Sequence, residues 1–356
     1  MVSQYPPLYQ GKLLTKTFHS GLLKIDHSKP DQGETRMNTN TSLFKRVFLS
    51  FMKAGMTVTC FKRCYVAGTN EEELGRTLKK LKRRNIGFTT DILGEHISEL
   101  SEAKACLKAY IELAEWLDAF RGAFSIRNNP YGTSISIKPS HLGLCLDQEA
   151  FKQNLRTLVR DAKDVGVFVW VDAEEKETLA ATYSAVLKVA ALPECAGNIG
   201  TVVQSCHRES AVWLNYFRVS NIPVRLCKGA YPDGDIRDEH ELREVYIGQA
   251  KNMLDAGAYI AIASHDGEII DQLAARIVGR QIPMDRFEFQ MLLGVRMGYQ
   301  ESIAKQGFRM TTYVPFGDHY AAYLLRRFKK GLRNKSLLFL FIRNLYEGTR
   351  FALQKK

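Results

Sequence analysis

Eight short apolar runs in this 356-residue chain each finish on a polar or ionisable side chain. These are Asp91, Lys138, Asp172, Gln204, Arg225 with Lys228, His265, Gln290 and Tyr313. Taken singly, each reads as a loop residue bonded to its own backbone. Taken together they read differently, because groups at one end of parallel strands converge on a single mouth. The set holds several cations, few free acids and no pair of catalytic carboxylates, which argues against glycoside hydrolysis. The histidines are scattered without ligand spacing, so no metal site is expected. Lys138 and Lys228 leave Schiff-base chemistry of an aldolase or lyase open. A further group follows the last run: Tyr323, Arg326 and Arg327 stand at i, i+3 and i+4 and share one helix face. Paired arginines there suit a carboxylate or phosphate gripped bidentately. The basic run through Lys330 suits a solvated helix face equally well.

The elements that must position these groups alternate regularly from residue 87 onward. The expected strands are Gly87–Leu93, Ser134–Ser140, Val167–Ala173, Ile199–Gln204, Val224–Gly229, Tyr259–Ser264, Phe287–Leu292 and Phe308–Val314. Stretches of helical period separate them, among them Glu102–Arg121, Gln148–Ala162, Glu239–Ala256 and Asp266–Val278. Repeated βα units of this size predict a closed parallel α/β barrel of the TIM type. An open doubly wound sheet would want a Gly-x-Gly-x-x-Gly turn after its first strand, and none is present. Before the barrel, Thr69–Arg84 predicts a helix with a cap-like start, acidic residues in its first turn and basic ones in its last. Residues 43–86 are read as an N-terminal helical segment, residues 1–42 as a polar tail with Met37 as an alternative start, and 87–356 as the barrel.

Composition bounds the partners. The formal net charge is +12, with 25% charged residues and 45% hydrophobic. A basic balance favours anionic surfaces or ligands, but no nucleic-acid-binding motif accompanies it, so nucleic acid is not expected. In Leu43–Lys53, Phe44, Val47, Phe48 and Phe51 recur at helical spacing between basic residues. Such a segment packs on its own domain or lies on a membrane surface. Seven cysteines spread over the chain form no disulfide framework and fit a reducing compartment. No apolar run is long enough to span a bilayer. The expectation is a cytoplasmic protein, able to sit at the inner face of the membrane.

The run-end motifs, in order, resemble the proline dehydrogenases. The resemblance covers Thr89 to the chain end. It is carried by Asp91-Ile-Leu-Gly-Glu95, Ser136-Ile-Lys-Pro-Ser140, Val171-Asp-Ala-Glu174, Val203-Gln204 and Val224-Arg-Leu-Cys-Lys-Gly-Ala-Tyr231. Ala263-Ser-His-Asp266, Phe287-Glu-Phe-Gln-Met-Leu292, Tyr313-Val-Pro-Phe-Gly317 and Tyr323-Leu-Leu-Arg-Arg327 complete it. The resemblance implies a distorted (β/α)8 barrel holding FAD, oxidation of L-proline to Δ1-pyrroline-5-carboxylate, and electrons passed to a membrane quinone. By motif position it assigns the substrate carboxylate to Lys138, Arg326 and Arg327, and the proline ring to Tyr313 and Tyr323. A tyrosine at position 313 implies proline rather than hydroxyproline. The flavin falls to Ala173, Gln204, Arg225, Lys228, Gly229, Ala230, Ser264 and His265. Asp172 and Arg225 take catalytic positions, Asp172 orienting nearby cations between the two sites. The product opens in water to an aldehyde, which makes a pyrroline-5-carboxylate dehydrogenase an expected partner.

The chain departs from the family pattern in places. Lys330 stands where a glutamate is usual three residues after the arginine pair, which predicts a more positive and less tightly oriented carboxylate clamp. Ser264 replaces a threonine and keeps the hydroxyl, and Pro232 replaces an aromatic. A member that binds flavin without turning over is the third reading beside the oxidase and the lyase.

Overall fold

In the computed structural model, residues 62–94, 97–119, 131–331, 344 and 346–352 are described. The 1–42 tail, the amphipathic 43–53 segment and Glu95 lie outside them. Eight parallel strands pair in sequence order and close into a barrel, β8 against β1. They are β1 Gly87–Ile92, β2 Thr133–Ile137, β3 Phe168–Val171, β4 Ile199–Gln204, β5 Val224–Cys227, β6 Ile260–Ala263, β7 Phe287–Leu292 and β8 Met310–Phe316. Around them run α1 Glu71–Lys82, α2 Leu100–Ala119, α3 Gln148–Asp164, α4 Lys176–Ala190 and α5 Ser210–Val219. They are followed by α6 Glu239–Asp255, α7 Gly267–Gly279, α8 Met297–Lys305 and α9 Tyr320–Gly331. No helix among the described residues is long and apolar enough to cross a membrane.

The expected α/β barrel is the observed one, and the helix limits depend on caps. Asn70 accepts from Glu73 N at the start of α1, with Glu71, Glu72 and Glu73 in the first turn and Lys79, Lys80 and Lys82 in the last. Asp147, Asp238 and Asp266 cap α3, α6 and α7 in the same way. Strands β2, β3, β5 and β6 stop one to three residues short of the sequence expectation. At β2 the reason is explicit: Pro139 lacks an N–H for the ladder and instead opens a short 3-10 turn, Pro139–Leu142. The side chains expected at those strand ends therefore sit on the loops just beyond them.

Strand alternation sorts the barrel into two faces. Val169, Val171, Ile135, Ile137, Phe287 and Phe289 point outward into the layer between sheet and helices, part of the main core. Their neighbours point inward. Phe168, Trp170, Tyr259 and Ala261 form a separate buried cluster with Tyr131 inside the barrel. Gly200 makes room for it, because a Cβ there would lie 2.8 Å from Trp170 Cζ3 and 2.8 Å from Pro223 O. Register brings inward residues of neighbouring strands level: Asp91 with Ser136, Ser136 with Trp170, and Thr89 with Tyr313.

Candidate active site

The barrel interior is polar above the aromatic cluster, and the centre of that polarity is Arg225 on β5. Its side chain is 5% exposed, so its charge must be matched by neighbours. Nη1 donates to Asp172 Oδ1 at 2.9 Å, and both Nη1 and Nη2 donate to Ser136 Oγ at 3.1 Å. The guanidinium lies over the ring of Trp170, 4.8 Å from its centroid, and 5.4 Å from that of Tyr313. Ser136 accepts from Arg225 and is also 2.9 Å from Thr89 Oγ1. Nε has no partner.

Asp172 follows β3 and is held from two sides. Its Oδ2 accepts from the Tyr313 hydroxyl at 2.8 Å, opposite the Arg225 bond on Oδ1. Burial pushes the carboxyl above the ordinary aspartate value, with nearby Asp91 adding to the rise while Arg225, Lys138 and the Tyr313 bond oppose it. Burial likewise keeps the Tyr313 hydroxyl protonated, which suits its role as donor. Next to this group, Lys138 Nζ reaches Asp91 Oδ1 at 2.5 Å. Asp91, Lys138, Asp172, Arg225 and Tyr313 thus form one charged cluster spanning β1, β2, β3, β5 and β8.

A second cluster occupies the ends of β4, β5 and β6. The Gln204 carboxamide donates through Nε2 to Glu174 O at 2.8 Å and accepts from Ala230 N at 3.0 Å. Glu174 is locked by Ser140, whose N and Oγ each donate to it at 2.7 Å. Burial still leaves its carboxyl raised. Gly229 has φ +138°, and a Cβ would come within 2.4 Å of Cys206 Sγ. Glycine is the residue that fits this turn. Lys228 and Arg243 both donate to Asp266 Oδ2 at 3.0 Å. Burial raises the Asp266 carboxyl, but the two cations together bring it below the ordinary value. Its Oδ1 meanwhile caps α7. Ser264 Oγ accepts from Asp266 N. His265 Nε2 accepts from Leu292 N at 3.0 Å, which assigns the ring proton to Nδ1.

The arginine helix behaves less uniformly than its spacing suggests. Tyr323 is buried with Leu93, Val295 and Leu324, and Arg327 packs over its ring, 5.4 Å from the centroid. Arg326 is exposed. The i, i+3, i+4 face is therefore split at the surface, with Arg327 half-buried over Tyr323 and Arg326 exposed. The side chain of Lys330 is outside those described. Gln290, expected at a strand end, sits within β7 and donates to buried Glu288, which also accepts from Thr311.

Residues that sequence reasoning did not assign complete the site: Ser136, Trp170, Glu174, Asp266 and Arg243. Ser136 and Trp170 each precede an assigned residue by two positions, so strand alternation alone aims them at the same mouth. Asp266 and Arg243 carry no such signal. Their pairing joins α6 to the start of α7 and exists only in three dimensions. Arg225 Nε, Arg327 Nε and the Tyr323 hydroxyl are buried donors without a hydrogen-bond partner.

Comparison with known proteins identifies the family. A sequence profile of the family described as Proline dehydrogenase matches residues 74–338. Proline dehydrogenase 1 of Bacillus subtilis is 31% identical over 306 residues, covering 80% of this chain and 94% of that protein. Proline dehydrogenase of Deinococcus radiodurans is 30% identical, covering 77% and 87% respectively. Among solved structures, proline utilization A from Bdellovibrio bacteriovorus, inactivated by N-propargylglycine, superposes with a TM-score of 0.75 at 25% identity. That match covers 86% of this chain but 36% of the longer one. The chain belongs to the proline dehydrogenase family.

Proposed function

We propose that the protein oxidises L-proline to Δ1-pyrroline-5-carboxylate with FAD as its cofactor and a quinone as the final acceptor. The observation that carries this reading is Arg225, a buried guanidinium held by Asp172, Ser136 and Trp170 with Nε unspent. FAD, when bound, supplies the hydride acceptor. The donor chemistry fits it: Arg225 and Lys228 are cations where negative charge would develop, and Ser264, His265, Gln204, Gly229, Ala230 and Ala173 surround them on neighbouring loops.

Proline is assigned to the first cluster. Lys138 and Arg327 are the cations for its carboxylate, with Arg326 swinging in from solvent. Tyr313 and Tyr323 flank the ring. Fixing the carboxylate presents one carbon next to nitrogen to the acceptor, which is catalysis by orientation. Asp172 is engaged by both Arg225 and Tyr313, so its role is to hold them, and the amine proton leaves to solvent. A Schiff-base lyase is disfavoured because both lysines are engaged by carboxylates, Lys138 by Asp91 and Lys228 by Asp266. Residues 62–86 are assigned as a helical lead-in to the barrel, with the basic charge directing the protein to the cytoplasmic membrane surface. A dehydrogenase acting on the aldehyde form of the product is the partner this chemistry calls for.

The test is an anaerobic visible spectrum before and after L-proline. Bleaching of a flavin band supports cofactor, substrate and hydride transfer together. A band that persists removes proline as substrate, and no band after incubation with FAD removes the cofactor.

A further inference from the structure

Among the described residues, four that are not glycine have left-handed backbone: Asn85, Asn221, Gln281 and Arg296. The first three close helices. They follow the last turns of α1, α5 and α7, and each time the next residue bonds back into the helix: Ile86 N to Leu81 O, Ile222 N to Phe217 O, and Ile282 N to Ile277 O. That is the ordinary use of this conformation. Arg296 stands instead at the start of α8, with φ 50° and ψ 44°. An extended residue with a short capping side chain is preferred there, and the Arg296 side chain makes no cap. Its Cβ is crowded in this backbone, so the position costs free energy that another interaction must offset.

The remaining atoms of Arg296 supply that interaction. Nη1 donates to the carbonyl oxygen of His265 at 2.6 Å, and the guanidinium lies over the Tyr299 ring, 4.0 Å from its centroid. The same group passes Gly267, where a Cβ would be 3.5 Å from Nη1. The backbone N–H of Arg296 donates to Asn344 Oδ1 at 3.0 Å, and Asn344 is itself buried. The loop that carries Arg296 is braced from behind. Gln300, fully buried, donates to both Leu292 O and Val295 O and accepts from Thr312. Leu292 N donates to His265 Nε2, so the ring and the carbonyl of His265 are both anchored to the β7–α8 loop.

We propose that Arg296 is a positioning residue for the cofactor: through the His265 carbonyl it fixes Ser264 and His265 in the pose that receives FAD. The proposal rests on the flavin reading above, which assigns Ser264 and His265 to the cofactor. The strained backbone follows from this duty. A glycine or an asparagine would start α8 at lower cost, but neither reaches across to the end of β6. Holding the loop in place before FAD arrives removes an ordering cost from binding.

The experiment compares the full wild-type chain with Arg296→Gly and Arg296→Lys. Glycine accepts the left-handed backbone and lacks the side chain, whereas lysine keeps a charged donor. Three readouts are taken on FAD-free protein: the Kd for FAD from quenching of flavin fluorescence, the urea midpoint, and the His265 ring signal in histidine-labelled NMR spectra, identified with His265→Gln. Arg296→Gly should raise Kd about tenfold, the loss of one hydrogen bond, with the urea midpoint at the wild-type value and the His265 signal shifted. Arg296→Lys should fall between the two in Kd. An unchanged Kd or an unchanged His265 signal in Arg296→Gly would overturn the proposal, as would a lysine variant no better than glycine. A urea midpoint that falls in step with affinity would overturn it too, by making Arg296 merely structural. A wild-type protein that binds no FAD, yet whose His265 signal shifts in Arg296→Gly, would sink the flavin reading and leave the hold on His265 intact.

Discussion

Ser136→Ala removes the oxygen on which two of the Arg225 hydrogen bonds converge. In the variant, Nη1 keeps Asp172, while Nη2 loses its hydrogen-bond partner inside the barrel and Thr89 Oγ1 loses the Ser136 hydroxyl. The two bonds share one acceptor at 3.1 Å each, so they count as roughly one charge-assisted bond, worth about 1.5–3 kcal/mol. The Thr89 contact adds about 0.5–1 kcal/mol, and a water entering the small space returns part of the total. The expected loss is about 2–3 kcal/mol, which in a domain of this size lowers Tm by roughly 4–8 °C. Urea unfolding of the FAD-free protein is the assay, with Thr89→Val and the double variant closing a thermodynamic cycle. The pair should couple by about 0.5–1 kcal/mol, because Thr89 acts through Ser136. A Ser136→Ala midpoint equal to wild type would refute the claim that Ser136 neutralises the cost of burying Arg225. Additive single effects would refute the Thr89 link.

Other consequences follow from the same geometry. Gly229→Ala places a Cβ at φ +138° and within 2.4 Å of Cys206 Sγ, so it should cost more than about 1 kcal/mol, read as a lower thermal midpoint. Because the Asp172 carboxyl is raised by burial, the folded state holds its proton more tightly than the unfolded chain. Stability from this group is therefore present at acid pH and is lost as pH rises from the ordinary aspartate value through the raised one. Asp172→Asn should flatten that segment of a urea-midpoint profile and abolish bleaching by proline; a profile parallel to wild type would contradict the shift. Lys330→Glu should restore a carboxylate near the arginine pair and change proline KM. Unchanged KM and kcat would show that the substitution leaves the clamp as it was.

The barrel was legible in the chain because its two periods are local. Strand alternation and helical spacing are written residue by residue, and aspartate or asparagine caps such as Asn70, Asp147 and Asp238 mark the helix starts. Convergence at one mouth was legible for a related reason: in a parallel barrel every run-end residue must face the same way. Lys138, Asp172, Gln204, Arg225 and Tyr313 meet that rule in space. Gln290 does not, since it shares the inward face of β7 with Glu288, two residues earlier, and its carboxamide bonds to that buried carboxylate instead.

Only the tertiary structure decided who bonds to whom. Asp172 and Tyr313 are 141 positions apart and meet because β3 and β8 lie across a closed barrel. Arg243 and Lys228 share the Asp266 carboxylate because α6 returns over the ends of β5 and β6. Arg326 is exposed while Arg327 is half-buried against Tyr323, although the two are adjacent in the chain. The approach of buried His207 to Asp235, 28 positions on, carries no mark in the sequence. Short-range order follows from backbone and side-chain sterics that each residue brings with it. Burial and partner choice follow from long-range closure, which no local window contains.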